Sequence, residues 1–110
     1  MRMNNNIEAD VDHLISSICS TPEYQDYMKW KSEISGDPAF FSRVNNIRED
    51  YFRLYTSTPD EELSDAALEF TDRYEEDCQE PMIYGFLQSE AAFCAIMRQA
   101  MDRLMTGLNF

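Results

Sequence analysis

The side chains able to do chemistry in this chain are few, and their spacing limits what they can attempt. The one histidine, His13, sits in the run Asp10-Val11-Asp12-His13. A di-metal carboxylate bundle needs inward-facing glutamates and two Glu-x-x-His motifs on long helices, so a single His cannot build one. Cys19, Cys78 and Cys94 show no CxxC spacing and cannot all pair within one chain. A four-thiolate iron–sulfur cluster also exceeds what one copy provides. A metal or cluster held between subunits by these thiols remains as one alternative, a cofactor carrier. No Ser/His/Asp or Cys/His arrangement has a supporting motif, and Gly36, Gly85 and Gly107 are isolated, so no phosphate-cradling loop is present. The expectation is a protein that is not an enzyme, with no catalytic residue, no metal ligand and no resident cofactor.

The most informative single residue is a carboxylate in an apolar seam. Ile83, Leu87, Glu90, Cys94, Met97, Met101 and Leu104 follow one another in steps of four and three, which places them on one stripe of a long helix. Phe86, Phe93 and Ala100 form a second file beside it. An ionised Glu90 alone among apolar neighbours would be costly. It therefore calls for a partner such as Arg43, Arg48, Arg53 or a Tyr hydroxyl, or for a role in setting register at an interface. Met97, Met101 and Met105 recur every four residues, and flexible thioethers suit both core filling and a surface that accepts several packings. A helix apolar over so broad an arc needs more than one neighbour.

The elements that must position these residues are marked by proline. Thr21-Pro22, Asp37-Pro38, Thr58-Pro59 and Glu80-Pro81 each place Pro at a first helical position. Three of these follow a good N-cap residue, and Thr58 with Glu61 fits a capping box. Five helices result, over about 7–20, 22–35, 38–56, 59–79 and 81–105. The third has its own repeat, Phe40, Val44, Ile47, Tyr51 and Leu54. Gly85, early in the last helix, costs about 1 kcal/mol relative to Ala and would let another backbone come close. The predicted fold is all-α, an antiparallel helical-hairpin bundle of about five helices with two or three long ones. It forms a single domain over 1–110, with 1–6 as a disordered tail.

Composition agrees. At 110 residues, 44% hydrophobic, with three Gly and four Pro, the chain has enough apolar surface for one core. A formal net charge of -12 argues against a direct nucleic-acid or anionic-membrane binder, both of which need a basic footprint. The acids concentrate between Asp60 and Glu80, where Arg73 stands alone among them. That stretch reads as a solvated face, or as a docking or decoy surface for a basic partner. No run approaches the ~20 apolar residues of a membrane span, and no signal peptide is evident. The expected location is the cytoplasm.

Two segments together suggest a family. Gly36-Asp37-Pro38 opens one long amphipathic helix, and Glu80-Pro81-Met82-Ile83-Tyr84-Gly85-Phe86-Leu87-Gln88-Ser89-Glu90-Ala91-Ala92-Phe93 opens the last. This arrangement resembles the YlbF/YmcA family of small helical bacterial regulators over about residues 7–108. Phe86-Leu87-Gln88-Ser89-Glu90 and Phe93 match the family's aromatic-Leu-x-Ala-Glu motif, with Ser89 for the usual Ala and Glu80 for the usual Asn. The resemblance implies a regulator of competence, sporulation and biofilm decisions that assembles with relatives and modulates an endoribonuclease. It also implies self-association, as a homodimer or higher homo-oligomer. The contact residues expected are Ile83, Phe86, Leu87, Glu90, Phe93, Met97 and Met101.

Overall fold

A computed structural model describes residues 4–109. Six helices and no strands occur among them: α1 (Asn5–Cys19), α2 (Pro22–Ser35), α3 (Pro38–Ser57), α4 (Asp60–Arg73), α5 (Glu75–Gln79) and α6 (Pro81–Gly107). The fold is all-α, as expected. Of the expected tail, 1–3 lie outside the described residues. Asn4 caps α1 by accepting from the Asn6 amide at 2.8 Å.

The proline signals place three helix starts correctly. Pro22, Pro38 and Pro81 each open a helix. Asp37 Oδ1 accepts from the amides of Ala39 and Phe40 at 3.1 and 3.2 Å, satisfying two donors that the first turn leaves over. Thr21 Oγ1 accepts from the Tyr24 amide at 3.2 Å. The fourth start differs. Pro59 is itself the N-cap of α4 and no side chain caps that end, so the Thr58–Glu61 capping box does not form. Asp60, Glu61 and Glu62 in the first turn face the positive end of the helix dipole instead.

The single helix expected over 59–79 is interrupted at Tyr74. Its backbone leaves the helical region (φ -107°, ψ 14°), ending α4 and starting α5. Tertiary contacts hold the break. The Tyr74 hydroxyl donates to the Asp50 carboxylate of α3. Arg43 of α3 grips Asp77 of α5 through Nε and Nη2, at 2.7 and 2.5 Å.

The chain forms two compact units, residues 30–88 and residues 1–29 with 89–110. In the first, α3 packs along α4, and the core is Ile34, Val44, Ile47, Leu54, Tyr74, Ile83 and Phe86. Trp30 and Gly85 meet in this unit. A methyl added at Gly85 would lie 2.5–2.6 Å from three atoms of the Trp30 indole. The glycine therefore admits an aromatic ring where the sequence suggested a backbone. In the second unit, Phe93 stacks on Tyr27 (5.2 Å between centroids, 8° between planes) and meets Tyr24 at 5.5 Å. Its one buried residue among those described is Ser89.

Candidate contact surfaces

The seam along α6 changes character along its length. Ile83 and Phe86 are 0% and 3% exposed and belong to the core of the 30–88 unit. Leu87, Glu90 and Phe93 are half-buried. Glu90 is engaged with other groups of the protein. Arg43 and Arg53, two of the partners expected for it, are committed to Asp77 and to Glu49 and Asp50 respectively. Met97 and Met101 are 43% and 56% exposed, and the apolar surface continues through Leu104, Met105 and Leu108. The seam is thus core at its start and open at its end.

A second open face lies on α1, which has no buried residue. Ile7, Val11, Leu14 and Ile15 are between 37% and 53% exposed. Every buried apolar side chain among the described residues lies in 30–88, whereas α1 and the last turns of α6 keep their apolar stripes in water. Exposed apolar stripes of this kind are candidate surfaces for contact with other molecules.

A third face belongs to α3. Its buried stripe includes Val44, Ile47 and Leu54, but a neighbouring stripe points outward. Phe41, Phe52 and Tyr55 on that stripe are 42%, 67% and 54% exposed. Between them stand Asn45 and Arg48, whose guanidinium lies 5.9 Å from the centre of the Phe86 ring. A shallow depression here is lined by Asn45, Arg48, Glu49, Phe52 and Arg53. This stripe is faint in the sequence because the buried one beside it has the stronger apolar pattern.

Electrostatics concentrate at Asp50. It accepts from Tyr74 and, at 3.3 Å, from Arg73 Nη1, with Arg53 at 3.4 Å. The Tyr74 hydrogen bond, aided by the two arginines, holds the carboxyl below its ordinary range. Burial and the same carboxylate push the Tyr74 phenol up. These groups tie α3 to α4 and the joint after it.

Cys78 and Cys94 are exposed and Cys19 is half-buried. Burial and the neighbouring Asp77 push the Cys78 thiol up, away from the thiolate form that metals and electrophiles need. Among the described residues no three His, Cys, Asp or Glu side chains are grouped to hold a metal ion, and His13 is exposed. No helix is long and apolar enough to cross a membrane.

Comparison with curated proteins and with solved structures gave no match. The family model described as control of competence regulator ComK, YlbF/YmcA, matches residues 7–109. That match covers all of α2 to α6 and nearly all of α1, the Asp37-Pro38 helix start and the Phe86–Phe93 segment included: the chain belongs to the YlbF/YmcA family of regulators.

Proposed function

We propose that this protein is a non-enzymatic regulatory adaptor that acts in the cytoplasm by binding other proteins, and that it also self-associates. The observation that carries the reading is the uneven core. The segments 1–29 and 89–110 hold no buried apolar side chain among their described residues, yet they carry Ile7, Val11, Leu14, Ile15, Met97, Met101 and Leu104 half-exposed. Completing the burial of such side chains is worth about 1 kcal/mol each. Burial on both partners roughly doubles that gain, and the surplus over the freedom lost on association leaves binding of moderate strength. Contacts of this strength are reversible and concentration-dependent, as a regulator requires.

The contact residues of α6 are accordingly Met97 and Met101, supported by Leu87, Glu90 and Phe93 at the half-buried part of the seam. Related regulators are the natural partners, and through them an endoribonuclease. Methionine-rich surfaces repack against different occupants at little cost, which favours this assignment for α6. The test is light scattering on the wild type and on Met97→Asp. The expected result is association of the wild type at micromolar concentration, weakened at least tenfold in the variant. A wild type that stays monomeric at high micromolar concentration removes the self-association.

A further inference from the structure

The open stripes of α1 and of the last turns of α6 repeat one spacing. On α1, Ile7, Val11, Leu14, Ile15 and Ile18 follow steps of four, three, one and three. On α6 and just past its end, Met97, Met101, Leu104, Met105 and Leu108 follow the same steps. The second stripe is between 41% and 67% exposed throughout, and the first, apart from half-buried Ile18, between 37% and 53%. At roughly half exposure, these nine open side chains hold on the order of 800 Å² per copy, about what each partner gives up in a stable interface of standard size. The rims differ in charge. Glu8 and Asp10 flank the α1 stripe on its two sides with Asp12 beyond, and no Lys or Arg occurs between Asn5 and Cys19. Arg98 flanks the α6 stripe with Arg103 beyond, against Asp102. Among the described residues, none of these carboxylates and guanidiniums has an ion-pair partner.

We propose that α1 of one copy docks on the Met97–Leu108 stripe of α6 in a second copy. The proposal rests on the self-association inferred above and names what covers the open end of the α6 seam. Charge selects this pairing over the others. Setting α1 on its own equivalent, or on α4, brings acids against acids. Setting α6 on its own equivalent brings together Arg98 and Arg103 of both copies. The arginines of α3 are occupied within their own chain: Arg43 by Asp77, Arg53 by Glu49 and Asp50, and Arg48 by Asn45 and the Phe86 ring. The guanidiniums of α6 are unpaired and stand beside an open apolar stripe, which is the surface an acidic amphipathic helix fits. Equal steps let the two stripes interdigitate, and the thioethers of Met97, Met101 and Met105 adjust to the branched side chains of α1. Exchanged both ways across a twofold axis, the contact forms twice in one dimer. Met97→Asp then sets a new carboxylate against the acids of α1, so the earlier test addresses the same surface.

The experiment uses two full-length variants, Glu8→Lys with Asp10→Lys on α1, and Arg98→Glu with Arg103→Glu on α6. Both are measured by sedimentation velocity, alone and mixed in equal amounts, with circular dichroism melts to check that each is folded. Each variant alone sets like charges against each other at the contact and is expected to associate roughly tenfold more weakly than wild type. The α1 variant is the sharper of the two. It carries less net negative charge than wild type, so general repulsion falls, and only a local pairing makes it associate more weakly. In the mixture, the lysine-bearing α1 meets the new glutamates, and the native α1 of the other variant meets Arg98 and Arg103. Association therefore returns to near the wild-type level, which a variant weakened by local misfolding would not show. If the wild type associates but the mixture does not recover, or the α1 variant associates as well as wild type, this pairing is overturned while self-association stands. A monomeric wild type overturns both readings.

Discussion

Replacing Gly85 by alanine sets two effects of known sign against each other. In an open helix the change stabilises by about 1 kcal/mol, because glycine has more backbone freedom to lose. Here the new methyl would lie 2.5–2.6 Å from Trp30 Cζ2, Cε2 and Cη2, roughly 1 Å inside normal carbon–carbon contact. Three atoms of one rigid ring are involved, so no small torsion of a flexible chain end relieves the overlap. Overpacking of this kind costs about 1–3 kcal/mol, and relief by swinging the indole outward also gives up burial on α6. Gly85→Ala is expected to lose about 1–2 kcal/mol net, a fall in Tm of roughly 5–10 °C for a domain this size. Trp30 is the sole tryptophan, so its fluorescence reports the displacement directly, as a shift to longer wavelength. The decisive comparison repeats the substitution in a Trp30→Ala background. With the ring gone, the same methyl should stabilise by about 1 kcal/mol, which reverses the sign and gives a coupling of about 2–3 kcal/mol between the two positions. If Gly85→Ala raises the Tm of the otherwise native chain, or lowers it equally in both backgrounds, the indole contact is not what requires glycine.

Three further outcomes follow from the same structure. Ile83→Ala removes a fully enclosed side chain and should cost about 2–5 kcal/mol in urea denaturation, whereas Met101→Ala, on the open part of the same helix, should cost under about 1 kcal/mol. Asp50, held low, contributes stability that is present above the ordinary Asp pKa of about 3.9 and is lost as pH falls through its folded value. Tyr74, held high, contributes stability that is full below about pH 10 and is lost as pH rises through its folded value. Melting of Tyr74→Phe should therefore approach that of wild type at both extremes of pH and fall below it between them, and a constant difference across the range would refute the linkage. Asp77→Asn weakens the clasp on Arg43; since that arginine is 40% exposed, the expected loss is about 1 kcal/mol or less, read as a small fall in the chemical-denaturation midpoint.

Local punctuation in this sequence was legible because its causes are local. Asp37 and Thr21 cap the helices that Pro38 and Pro22 open, through bonds to amides two or three residues away. The break at Tyr74 was hidden because its cause lies on another helix, at Asp50. The seam from Ile83 to Leu104 was read as a uniform strip. Periodicity reports which side chains share a face, but a neighbour must exist along each turn before that face is covered. Ile83 and Phe86 have such neighbours; Met97 and Met101 remain open. For the same reason Cys94, which falls on that repeat, lies exposed. The outward stripe of α3 needed knowledge of which side α4 occupies.

Among the described residues, the placement of every enclosed apolar side chain between Ile34 and Phe86 also bears on how long a solitary copy survives. Segments with little buried surface open at small energetic expense, and a protease that cuts the opened form works in proportion to how often it appears. A subunit without company would expose its leading and trailing helices to such attack, while an occupied one would be shielded. Turnover would then trim the amount of this regulator to the number of copies in complexes, with no dedicated sensor.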